Sequence, residues 1–223
     1  IKIDWLIKNK DLDLVKSFIR NNNNQKISSD LINFYLDEYL SNGDLENACE
    51  VFNIIQYLPK NFYTSKFQIY CLIYENKKEI AQVQFDLLKE NNFNDNFFED
   101  KFNFLMGYTE NTNLKIFENN ILNFHLSRIS NDKFVFEPNE NTKKNIWRYL
   151  KSFNLLQNLD DIDVENDQKI ISIENATHNS NYPEKDLLNL YTRYRFSINQ
   201  LINLQDEYKL LPENQSRALL YQG

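Results

Sequence analysis

Glycine and proline are nearly missing from this 223-residue chain, which holds three of the first and four of the second. So few turn-formers exclude an all-β sandwich or barrel, a collagen repeat and a Gly-rich phosphate loop. Cysteine is almost as rare. Two residues, Cys49 and Cys71, cannot build a disulfide framework. They are expected to be free, inert thiols, with a single disulfide as the alternative. The only histidines are His125 and His178, and these four side chains are scattered without the spacing of a zinc site. No metal or other cofactor is therefore expected. No stretch approaches the roughly 18 apolar residues of a membrane span. Basic charge is also in deficit: Lys and Arg number 25 against 32 Asp and Glu, a net charge of −7. Surfaces that grip nucleic acid are built from Lys and Arg, so a nucleic-acid partner is not expected, and an RNA-reading repeat fits poorly.

What the chain does have is asparagine, 35 residues, with 21 Ile, 19 Lys, 17 Phe and 13 Tyr. Ala at 4 and Arg at 6 are as depleted as Gly and Pro. The first set is encoded by AT-rich codons and the second by GC-rich ones, so much of this bias reflects genome composition. A hydrophobic content of 42%, with 14% aromatic, is enough for a real core and excludes wholesale disorder. The asparagines alternate with Leu, Ile and Phe at helical spacing, and the only long run is Asn21 to Asn24, which argues against a prion-like tract. The chain begins at Ile1 rather than Met, and Ser216-Arg217-Ala218-Leu219-Leu220-Tyr221 reads as an unfinished helix. A fragment or processed chain is expected, soluble, from either cytoplasm or periplasm. The sequons at Asn175 and Asn214 are matches of the kind an Asn-rich chain produces by chance.

Apolar residues recur at three and four along the chain, with breaks every 12 to 18 residues, which predicts an all-α fold. Ser28-Ser29-Asp30 supplies a helix start, and Leu31, Ile32, Tyr35, Leu36, Tyr39 and Leu40 form one face. Asn42-Gly43-Asp44 stops that helix and starts the next, whose stripe is Leu45, Ala48, Cys49, Phe52 and Ile55 before Pro59. A second pair follows with Phe67, Tyr70, Cys71 and Tyr74, then Ile80, Ala81, Val83, Phe85, Leu87 and Leu88. A third is predicted from Phe98, Phe102, Leu105 and Met106, a break near Gly107, then Leu114, Phe117, Ile121 and Phe124. A shift of 33 residues lays Leu40 on Ile73, Ala48 on Ala81 and Phe52 on Phe85, with small residues where stacked hairpins cross most closely.

Through Tyr39, Ala48, Phe52 and Pro59, and again Ala81 and Phe85, residues 28–126 resemble tetratricopeptide-like helical repeats. The Trp and the first-helix Gly of that pattern are absent, and Leu72 stands where Tyr is expected. The resemblance implies consecutive antiparallel hairpins in an αα-superhelix; an irregular helical bundle fits the same spacings. The expected organisation is capping helices in 1–27, hairpins in 28–130 and further helices in 131–223. The last part includes an acidic loop at 158–168 and helices near 142–157, around Ile170 to Ala176, after Pro183, after Ser197 and after Pro212. This tail resembles uncharacterised helical proteins of alphaproteobacteria through Leu190-Tyr191, Phe196 and Arg217 to Gln222, a group that implies no activity.

Catalytic patterns are not evident. The run Asp161, Asp163, Glu165, Asp167 lacks both the Gly and the twelfth-position Glu of a calcium loop, and no nucleophile motif is present. His125 lies on an apolar face and reads as packed. Arg193 and Arg195, flanking Tyr194, could contact an anion, or simply suit a helix end. In tetratricopeptide-like stacks the first helix of each pair lines a concave groove. Carried over, that face comprises Asn33 and Asp37, Lys66 and Tyr70, Glu99 and Asn103. The expected function is a non-catalytic interaction scaffold for a protein or peptide partner. The alternative is an accessory domain of a larger enzyme, such as a cell-wall lytic enzyme, whose catalytic domain lies outside this chain.

Overall fold

The computed structural model describes every residue except Ile1, Lys10, Lys60, Glu140 and residues 158–160, the last being part of the expected acidic loop. Among the described residues all regular structure is helical. None of these helices is long and apolar enough to cross a membrane. The chain divides into two compact units, Ile1–Val135 and Phe136–Gly223.

The first unit holds α1 (Lys2–Asn9), α2 (Leu12–Asn21), α3 (Ser29–Ser41), α4 (Leu45–Ile54), α5 (Phe62–Tyr74), α6 (Lys78–Glu90), α7 (Asn96–Met106) and α8 (Ile121–Ile129). Six of its helices start on side-chain caps. Asp11, Ser28, Asp44, Asn61, Asp95 and Asn120 each accept a backbone N–H two or three residues on, satisfying donors the helix leaves orphaned. Helices α3 and α4 pair, as do α5 and α6, and α3 packs on α5, which packs on α7. Ala48 and Ala81 are fully buried in the two second helices. Helix α2 is tied to α4 by Glu50, which receives both Lys16 and Arg20 at 2.5 Å.

The third hairpin does not form as the periodicity predicts. Helix α7 ends at Gly107, whose φ of 84° is the left-handed geometry glycine accepts freely. The chain then runs without helix to Asn120, leaving Leu114 exposed and Phe117 half-buried against Phe97. Two neighbours on α7 hold this segment down. The Asp100 carboxylate accepts from the Thr112 hydroxyl and from Asn113 N at 2.9 Å. Fully buried Lys101 donates to Thr112 Oγ1 at 3.1 Å and to the Asn113 carbonyl. Helix α8 then packs on α3 and α7, the first helices of their pairs, rather than continuing the row of second helices.

The thiols are a second correction. Cys49 on α4 and Cys71 on α5 form a disulfide, their Cα atoms 5.4 Å apart. Both sit on inward stripes of helices that pack together, which brings them within the bridge's reach.

The second unit contains α9 (Lys144–Ser152), α10 (Asp167–His178), α11 (Glu184–Tyr191), α12 (Ile198–Ile202), α13 (Leu204–Glu207) and α14 (Glu213–Gln222), with a 3-10 turn at Tyr208–Leu210. Helix α10 begins at Asp167, so the end of the expected acidic loop is already helical. Trp147, Ile170, Leu190 and Ala218 are at the centre of its core. Around it, Glu174 accepts from the Arg217 guanidinium at 3.0 and 2.5 Å and from the Tyr191 hydroxyl at 2.6 Å, joining α10, α11 and α14.

The 22-residue separation of the two cysteines implies that the bridge removes about 3 kcal/mol of loop-closure freedom from the unfolded chain. Urea unfolding should therefore show Cys49→Ser/Cys71→Ser less stable than the oxidised protein by about that amount. Dithiothreitol should lower the wild-type midpoint and leave the double variant's unchanged.

Candidate functional site

The face built by the first helices α3, α5 and α7 is where the repeat resemblance places a binding groove. Its polar residues are committed to one another. Asn33 Oδ1 accepts from Thr64 Oγ1 at 3.0 Å, and the Asp37 carboxylate accepts from the Tyr63 hydroxyl, so two bonds join α3 to α5. Lys66 donates to Asp95 at 2.9 Å, joining α5 to the cap of α7. Burial alone would raise the Asp95 carboxyl. The Phe98 N–H and the Lys66 ammonium outweigh it and hold the group below its ordinary range. Glu99 pairs with Lys89 of α6, and the Asn103 carbonyl accepts from Gly107 and Tyr108 at the end of α7.

Two of the predicted groove residues are not available to a ligand. Lys66 and Tyr70 are 7% and 5% exposed. Tyr70 is covered by α8, where its hydroxyl shares a 2.6 Å hydrogen bond with His125 Nε2 and the two rings meet edge-on. All seven residues from Ile121 to Ser127 of α8 are buried. The chain's own helix therefore lies against the face where a partner was expected, and the polar stripe works as an internal ladder. Asn33, Asp37, Glu99 and Asn103 are half-buried beside it.

His125 and Tyr63 are the strongly perturbed groups described on this face. Burial, reinforced by Arg128, holds the His125 imidazole down at about 3. It stays neutral and shares its hydrogen bond with Tyr70, which is a packing role. Tyr63 is pushed up by burial and then by the Asp37 charge, so it remains a donor. Lys101 is lowered by burial against the raising effect of Asp100.

Elsewhere, Arg193 and Arg195 lie beyond the last residue of α11 on either side of buried Tyr194, whose ring stacks on Phe196. Among the described residues no group of three His, Cys, Asp or Glu is placed to hold a metal ion.

Sequence reasoning missed the outer face of α6. Its predicted stripe splits in two. Ala81, Phe85 and Leu88 turn inward, whereas Ile80, Val83 and Leu87 are 51%, 56% and 46% exposed. These three stand at i, i+3 and i+7, one continuous ridge, and Glu79, Asp86 and Glu90 form an exposed acidic row along one side of it. The doubled stripe was the available signal, since one helix face cannot bury residues 80, 81, 83, 85, 87 and 88 together. Comparison with protein-family models, curated proteins and solved structures gives no match to any part of the chain.

The buried imidazole has a consequence for pH. Its folded value of about 3 lies below the roughly 6.5 of an unfolded chain, so between the two the unfolded state binds the extra proton. Stability should thus be complete above about pH 6.5 and fall as pH drops towards 3, by about 2 kcal/mol at pH 5. In urea unfolding at about pH 7.5 and pH 5, His125→Gln should start less stable than wild type. It should then lose less stability on acidification, by about that amount.

Proposed function

We propose that the protein is a non-catalytic interaction module of tetratricopeptide-like helical hairpins, and that it engages its partner through the outward ridge of α6. The observation that carries this reading is the exposed aliphatic line Ile80, Val83 and Leu87 beside Glu79, Asp86 and Glu90. An exposed apolar ridge bordered by charge is the ordinary mark of a docking surface. The inward stripe of α6 already satisfies the fold, so three further aliphatic residues on the wet face contribute little to folding. The acidic row selects the partner's chemistry: an amphipathic helix with apolar knobs and Lys or Arg along its edge. The chain's net charge of −7 favours encounter with such a basic segment. Filling of the first-helix face by α8 directs recognition outward, away from the groove that such repeats otherwise offer.

Val83→Ser/Leu87→Ser changes only exposed side chains and should leave thermal unfolding nearly unaltered. Losing two aliphatic contacts at an interface costs on the order of 2 kcal/mol, so partner retention from source lysate should weaken at least tenfold. Glu79→Lys/Asp86→Lys should reduce capture most at low salt. Identical partners and retention for wild type and both variants would overturn the assignment.

A further inference from the structure

Among the 35 asparagines of the chain, Asn42 alone precedes a glycine. The pair forms the turn between α3 and α4, and both Asn42 and Gly43 are exposed. We infer that Asn42–Gly43 is a modification site, a deamidating peptide that the folded turn holds closed and that reacts when the α3–α4 hairpin opens. The only co-reactant is water. The Gly43 backbone nitrogen attacks Asn42 Cγ, forming a new N–C bond that closes a succinimide ring. The proton released from Gly43 N passes through solvent to the side-chain amide nitrogen, which leaves as ammonia. Water then opens the ring and leaves a carboxyl group, with nothing oxidised or reduced. Cleavage of the new bond to Cγ gives aspartate. Cleavage of the original peptide bond gives isoaspartate, whose main chain runs through Cγ and is one methylene longer. Attack needs a following nitrogen without a Cβ in the way, which is why this asparagine stands apart from the others.

The native turn works against this reaction in two ways. Asn42 has φ −86° and ψ 2°. A ψ near zero sets Gly43 N beside Asn42's own backbone nitrogen, whereas ring closure needs it swung round to the side of Cβ. The Gly43 N–H also donates to the Leu40 carbonyl at 3.1 Å, so the proton that has to leave is held. Neither condition relaxes alone, because the turn is fastened on both sides. Asn42 N donates to the carbonyls of Glu38 and Tyr39 at 3.1 and 3.2 Å, and Asp44 N donates to that of Tyr39 at 3.0 Å. Asp44 in turn caps α4 by accepting from Asn47 N at 3.0 Å. Rotating ψ at Asn42 breaks these bonds, so the reaction waits for local opening and its rate is scaled by the fraction of open molecules. The isoaspartyl product does not fit back. Its extra methylene takes the Gly43 and Asp44 N–H groups out of register with Leu40 and Tyr39. The modification is therefore a one-way mark on molecules whose first hairpin has opened. The site is separate from α6 and does not depend on the interaction reading above.

The test follows the full chain at neutral pH by mass spectrometry of the peptide spanning residue 42, folded and in guanidinium chloride. In the unfolded chain Asn42 should convert faster than any other asparagine, with isoaspartate as the main product. In the folded chain the same conversion should be at least about tenfold slower. Gly43→Ala, compared in guanidinium chloride so that its own folding does not matter, should react at least about tenfold more slowly than wild type. The isoaspartyl chain, separated and refolded, should show a lower urea midpoint than unmodified protein. Asn42→Asp, which carries the charge without the extra methylene, should refold close to wild type. A folded rate within about twofold of the unfolded one would overturn the gating by the turn. Another asparagine reacting first in guanidinium chloride, or a Gly43→Ala rate equal to wild type, would remove the site itself. The one-way mark fails if the isoaspartyl chain and Asn42→Asp share the same midpoint.

Discussion

Helix α8 has no wet face over Ile121 to Ser127, and a helix buried on every side has to be wrapped by others. Much of the first unit follows from that one requirement. The helices that do the wrapping, α3, α5 and α7, carry Asn33, Asp37, Lys66 and Tyr70. Covering such groups without partners would cost a kilocalorie or more each. Each therefore has a partner across a helix boundary: Thr64, Tyr63, Asp95 and His125 respectively. The Lys66–Asp95 pair is held by backbone donors as well as by charge, the condition under which a largely buried ion pair is tolerated.

The helices themselves were legible because their punctuation is written in side chains. Ser28 and Asp44 cap where the sequence placed starts, and Gly43 and Gly107 take positive φ where it placed stops. Asparagine does the same work elsewhere. Asn76, Asn92 and Asn154 adopt left-handed geometry with φ between 53° and 61°. Asparagine tolerates that region better than most residues, which is how a chain with three glycines ends so many helices. What the sequence hid was long-range. Leu114, Phe117, Ile121 and Phe124 keep a helical period, yet Asp100 and Lys101 from the preceding helix capture Thr112 and Asn113 and prevent helix before Asn120. Local spacing carries no record of such a competitor.

The candidate surfaces show the same limit. Residue types on the first helices were read correctly, but an Asn or Tyr at a given helical position looks the same whether it faces water or a covering helix. Cys49 and Cys71 were each placed on an inward stripe, and only the approach of α4 to α5 reveals them as a pair. In the second unit, Glu174 gathers Arg217 and Tyr191 from segments 43 and 17 residues away. No local pattern announces that convergence.

The return of α8 also alters how this molecule comes apart. An open array of hairpins has contacts only between neighbours, so its end repeats can fray while the rest stays folded. Here the bond between Tyr70 and His125 spans 55 residues, and α8 rests on both α3 and α7. Losing either end of the row uncovers α8, and losing α8 strips the ladder from the helices between. The first unit is thus a row with its end folded back and fastened. Its melting is expected to be all-or-none, its folding slower than local hairpins alone would give, and its tolerance of truncation at α8 low.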